Sequence, residues 1–190
     1  MMTSHELYHH GILGMRWGVR RYQNKDGSLT ELGKKRYGNN GLTYSRSDNV
    51  FISGKVKYDE PLSGQMVKEL DKIIKVNANI HIGDAPGADT RVQEYLNSVG
   101  YRNVIVYTTD KQVRNNVGSW KVIRIDASKY SDEREGRRQK DIAMTKACNK
   151  GLAISSEDDR PDSATSLNIQ RLKDQNSEVA VWDYKANRFL

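Results

Sequence analysis

The chain is poor in the residues that build stapled or membrane-embedded folds. It has one cysteine, Cys148, so no intrachain disulfide can form and a cysteine-rich zinc cluster is excluded. Only three prolines occur, Pro61, Pro86 and Pro161, and each falls at the mouth of a predicted helix or in the loop before it. No apolar run approaches the ~20 residues of a membrane span, and the first residues hold no apolar core of a secretory signal. Hydrophobic residues make up 36% of the 190 positions, so much of the chain must face water. The length still suffices for a core without staples.

What the chain does have is an uneven charge. The formal net charge is +7. Residues 1–46 hold eight Lys and Arg against three Asp and Glu, leaving only +2 for the rest. The basicity therefore belongs to the front segment, expected to span residues 1–47. Such a segment can meet nucleic acid, an acidic protein surface or a membrane, or simply keep the protein in solution.

From Asn49 the pattern becomes regular. "NVFISG", "ANIHIGD", "NVIVYT", "WKVIRI", "GLAIS" and "EVAVWDY" read as strands. "LSGQMVKELDKIIK", "GADTRVQEYLNSVG", "SDEREGRRQKDIAMTKACNKG" and "SATSLNIQRLKDQ" read as helices. In the first, Leu62, Met66, Leu70, Ile73 and Ile74 share one helical face. Alternating strands and helices predict βαβ crossovers, and continuous apolar strands predict a sheet covered on both faces. The expectation is an α/β, doubly wound, mainly parallel Rossmannoid domain over residues 49–190.

In such sheets ligands bind beyond the carboxyl ends of the strands, where strand order reverses. Three loops qualify: Ser53-Gly54-Lys55, "GDAPGAD" (Gly83 to Asp89) and "SSEDDRPDSATS" (Ser155 to Ser166). In the second, Gly83 and Gly87 bracket a turn feeding a helix whose free amides suit a phosphate. The same residues also fit a plain reading, with Gly87 serving a tight turn and Asp89 capping the helix.

"FISGK", "HIGDAPGADTRVQEYL", "KDIAMTKACNKGLAIS" and "SATSLNIQRL" together resemble the SLOG superfamily, nearest its YpsA-like branch, over roughly residues 49–184. The matching positions are Ser53, Gly54 and Lys55; Gly83, Gly87, Ala88 and Asp89; Lys140, Asp141 and Met144; and Thr165, Asn168 and Ile169. The chain departs from that branch at Ala164, where it usually has glycine. The resemblance implies a nucleotide-derived ligand with phosphate or ribose at the two helix mouths. The implied ligand residues are Ser53, Gly54, Lys55, Gly83, Asp84, Gly87, Ala88, Asp89, Ser163, Thr165 and Asn168.

The similar hydrolases that split a base from a nucleotide carry a catalytic glutamate where this chain has Asn168. An amide cannot act as a carboxylate nucleophile, so binding is favoured over catalysis. Asp84, Asp89, Glu94 and Asp141 remain as carboxylates that could support an enzyme.

"HELYH", His5 to His9, matches the His-Glu-x-x-His pattern of zinc proteases. Only four residues precede it and glycine-rich sequence follows, so neither a substrate-aligning strand nor a third ligand is expected. No metal or other cofactor is expected. His81 reads as a core or pocket histidine and Cys148 as buried and inert.

The front stretch "YHHGILGMRWGVRRYQNKDGSLTELGKKRYG" resembles a segment recurring at the ends of otherwise unrelated proteins of phages infecting Gram-positive bacteria. It reads as a portable docking module, with Trp17 and Tyr22 set among Arg20 and Arg21, or as a disordered basic arm. The implied setting is the host cytoplasm after infection or the virion. The expected partners are a nucleotide-derived small molecule and a virion protein, with no membrane. Self-association stays open.

Three functional classes follow. The chain is a phage protein that captures a nucleotide-derived signal of host defence, such as an ADP-ribose-like or cyclic nucleotide. Alternatively it is a nucleotide N-glycosidase or phosphoribohydrolase, or a virion-associated structural or packaged protein.

Overall fold

A computed structural model describes residues 42–190. The elements run β1 (Asn49–Gly54), α1 (Gly64–Val76), β2 (Asn79–Gly83), α2 (Ala88–Ser98), β3 (Val104–Thr108) and β4 (Lys121–Arg124). A 3₁₀ turn at Ala127–Lys129 leads into α3 (Glu133–Ala147), β5 (Lys150–Ser155), α4 (Ala164–Asp174), β6 (Glu178–Asp183) and β7 (Arg188–Phe189). The predicted doubly wound α/β sheet is present. Its order is β4-β3-β2-β1-β5-β6-β7, parallel throughout except for β7, which pairs antiparallel with β6.

Strand alternation divides the core into two layers. Val50, Ile52, Ile80, Ile82, Val104, Val106, Leu152 and Ile154 point to one face, where Met66, Leu70 and Ile73 of α1 and Val92 and Leu96 of α2 cover them. Their register is continuous, with Ile52 beside both Ile82 and Leu152. On the other face Phe51 and Tyr107 meet Met144 of α3, Leu172 of α4 and Cys148. Local chemistry sets the helix starts. The hydroxyl of Ser63 accepts from the Met66 amide, the Asp132 carboxylate from Glu135 and the Ser163 hydroxyl from Ser166.

The body begins earlier than the sequence pattern indicates. Tyr44 is buried in the larger core cluster. The Leu42 amide donates to Glu69 Oε1 at 2.7 Å, and Asn149 Nδ2 donates to Asp48 Oδ1 at 2.8 Å. Residues 42–47, expected in the front segment, thus pack with the Rossmannoid body, as does Asp48. The rest of that segment, including Trp17, Arg20, Arg21, Tyr22 and the "HELYH" stretch, lies outside the described residues.

Candidate functional site

β1 and β5 are adjacent and parallel, and the helices that follow them, α1 and α4, pack on opposite faces. A crevice opens beyond their carboxyl ends, at the topological switch point. A cavity of about 220 Å³ fills it. Phe51 and Met144 form an apolar wall, Ser53 and Gly54 line it from β1, and Ala164 and Thr165 line it from the start of α4.

Three ionisable side chains face this space, two of them buried and Asp141 half-buried. Asp89 stands in the first turn of α2, while Lys140 and Asp141 come from α3. Lys140 is only 6% exposed, yet its ammonium makes no hydrogen bond with the described residues. Its one ion pair is with Asp141 Oδ1, at 3.7 Å. Among the described residues the Asp89 carboxyl accepts only the Ala85 amide, at 3.4 Å. Burial pushes its pKa up to about 7; the Lys140 charge opposes that shift, and Asp141 and Asp84 reinforce it. Burial also raises Asp141, against Lys140 and a hydrogen bond from Asn168.

Gly83 explains how these groups come so close. A Cβ there would lie 2.5 Å from Asp89 Oδ2 and 3.2 Å from Lys140 Nζ. Any side chain would therefore occupy the space over which the carboxyl and the ammonium face each other. Asn168 is 3% exposed and already engaged. Its Nδ2 donates to Asp141 Oδ2 at 3.3 Å, and its Oδ1 accepts from Arg171 at 2.6 Å.

The mouth of the cavity carries two guanidinium groups, Arg114 from the loop after β3 and Arg137 from α3. Arg114 is anchored by Asp84, with Nη2 donating to Oδ1 at 2.7 Å and Nε to Oδ2 at 3.3 Å. Burial alone would raise the pKa of Asp84. Hydrogen bonds from Arg114, then from Thr108, hold it below the usual carboxylate range instead.

Of the sequence-predicted ligand residues, Ser53, Gly54, Gly83, Asp89, Thr165 and Asn168 line this cavity together. Others have different partners. Asp84 is fully buried and serves Arg114 and Thr108. Ala88 is core, and the Ser163 hydroxyl caps α4. Lys55 is ion-paired with Asp159 and donates to the Tyr184 hydroxyl at 2.9 Å, joining the loop after β1 to the loop after β5. Gly87 has φ 83°, and a Cβ on it would collide with the carbonyl oxygens of Val56 and Lys55. Its lack of a side chain is needed for loop packing, and it lines a neighbouring open groove. Asp89 does not cap α2, whose N-cap is Gly87 without a side-chain bond.

Glu94 is exposed and paired with Arg91. His81 is a core histidine, with Nδ1 3.0 Å from the Tyr107 hydroxyl and burial lowering its pKa. Cys148 is buried, and burial raises its thiol pKa. Among the described residues no cluster of His, Cys, Asp and Glu could hold a metal ion. None of their helices is long and apolar enough to cross a membrane.

Sequence reasoning missed Arg114, Arg137 and the role of Lys140. One signal was present. Lys140 precedes Met144 by four residues, so both share the helical face turned to the sheet. Arg114 lies in an aperiodic loop and gave none.

The comparisons with known proteins bear on the front segment. A family model described as a family of unknown function (DUF7211) matches residues 2–24. Among curated proteins no match was found.

Proposed function

We propose that this is a phage protein that binds a nucleotide-derived small molecule, and so sequesters a defence signal of the host. One observation carries the reading. At the switch point a single cavity joins the buried Lys140 and Asp89 and the half-buried Asp141 to a helix N-terminus and a guanidinium rim. These groups open onto the cavity with bonding capacity to spare, and a ligand bearing hydroxyls and phosphate would use it. The SLOG-like motifs support the same reading, because Ser53, Gly83, Asp89, Lys140, Asp141, Thr165 and Asn168 line one space.

Capture is favoured over turnover by Asn168. Its amide is bonded to Asp141 and Arg171 and supplies no carboxylate. A second reading, a nucleotide N-glycosidase or phosphoribohydrolase, draws on Asp89. A carboxyl titrating near pH 7 beside Asp141 is the kind of group that performs acid–base steps. For the front segment we propose docking to a virion component through Trp17, Arg20, Arg21 and Tyr22. A family model confined to residues 2–24 fits a portable module.

Native mass spectrometry of the full chain purified from infected cells tests the reading. It predicts a bound phosphate-bearing species that leaves with its mass unchanged after heat denaturation. Steady release of free base from added nucleotides would favour the enzyme. Failure to bind any nucleotide would overturn both.

A further inference from the structure

The cavity is not uniformly cationic, and its unspent hydrogen-bonding capacity is mixed. Lys140 offers donors and accepts nothing. Asp89 uses one carboxyl oxygen for the Ala85 amide, and the other accepts no hydrogen bond from the described residues. Asp141 retains lone pairs beyond the Asn168 bond. The Ser53 and Thr165 hydroxyls, which both donate and accept, line the same space and make no hydrogen bond with the described residues. Formal charge at the deep end, one cation against two carboxyls, does not favour an anion.

A phosphate has acceptors only. It would match Lys140 but would face Asp89 and Asp141. A sugar hydroxyl donates once and accepts, so neighbouring hydroxyls match an ammonium and carboxyls set side by side. The mouth has the complementary character. Arg137 is paired with Glu133 through Nη2 at 2.6 Å, and Arg114 with Asp84 at 2.7 Å and Asp110 at 3.0 Å, but among the described residues the Nη1 groups of both make no hydrogen bond. The start of α4 lines the cavity through Ala164 and Thr165, adding amides that favour an anion. At about 220 Å³ the cavity is also smaller than the ~300 Å³ and above of sites that enclose a whole ligand. It takes in one part of a ligand and leaves the rest at the mouth.

Resting on the reading of this cavity as the ligand site, we propose that the ligand enters sugar first. A vicinal pair of ribose hydroxyls is held between Asp89, Asp141 and Lys140, and the phosphate lies outward at the start of α4 and Arg137. The site then selects ribonucleotide over deoxyribonucleotide chemistry. Asp89 is the specificity-determining acceptor.

Calorimetric titration of the full chain with ribose 5-phosphate and 2-deoxyribose 5-phosphate tests this, with AMP and deoxy-AMP as a second pair. The deoxy compounds should bind at least about tenfold more weakly, because each leaves a buried acceptor unpaired. Asp89→Asn keeps the shape of the side chain and should reduce that ratio to about twofold. Arg137→Gln should weaken both members of a pair equally. Equal affinity for ribo and deoxy compounds, with both lost in Lys140→Met, would overturn the sugar-first arrangement and leave the site in place. No binding of either pair, nor of ADP-ribose, would overturn the site itself.

Discussion

The two faces of the sheet share strands but not chemistry. Under α1 and α2 the packing is a broad apolar layer, with Ile52, Met66, Leu70, Ile73, Ile82 and Leu96 almost fully buried, and the polar Glu69 and Gln93 buried at its margin are bonded to the Leu42 amide and the Gly83 carbonyl. Under α3 and α4 the apolar cluster is small, and buried polar residues accompany it: His81, Lys140, Thr145 and Asn168. Apolar burial contributes stability in proportion to area, whereas a buried charge costs stability unless it is paired. The difference teaches where to look for function. The face that could have been filled with hydrocarbon, and was not, borders the cavity.

Substitutions can break this comparison, and the largest effect belongs to the apolar face. Leu70→Ala should cost about 2–5 kcal/mol in denaturant unfolding, because it removes a fully buried side chain from a filled layer. Met144→Ala should cost less, since it enlarges an existing cavity instead of opening a new one. Equal losses would remove the distinction between the faces.

Asp89 gives the next effect, and it depends on pH. Its folded pKa of about 7 exceeds the ordinary 3.8, so in that window the native state holds more protons than the unfolded chain. The stability contributed by neutral Asp89 is complete below about pH 4 and is lost as pH rises through 7. Asp89→Asn lacks this titration. Wild-type stability relative to the variant should therefore fall by a few kcal/mol between pH 4 and pH 8. A difference independent of pH would show that Asp89 ionises normally.

Lys140→Met should cost about 1–2 kcal/mol: it removes a cation held by one 3.7 Å ion pair, and the carboxyls left behind, Asp89 above all, can take up a proton in its place. A loss comparable to that of Leu70→Ala would make Lys140 a structural residue. Arg137→Gln, at the exposed rim, should stay within about 0.5 kcal/mol.

Much of the fold was legible because parallel strands buried on both faces leave unbroken apolar runs such as "VFIS" and "HIG". β7 was not, since two residues carry no period. That residues 42–47 belong to the body was missed for a different reason. Leu42 and Asp48 are held by Glu69 and Asn149, partners far along the chain that no local pattern announces. At the site, motif spacing brought Ser53, Gly83, Asp89, Thr165 and Asn168 to one place. It could not show that Lys55 would be engaged by Asp159 and Tyr184. Nor could it show that Gly87 is required by the carbonyls of Lys55 and Val56. Those are contacts between loops, fixed only once the strands are ordered.

The most direct test of the account is a calorimetric titration of the full chain and of Lys140→Met with AMP and ADP-ribose at neutral pH. The account predicts saturable binding of at least one of them by the wild type. It predicts at least a tenfold loss in the variant, with both proteins folded. Undiminished binding by a folded Lys140→Met variant would contradict it.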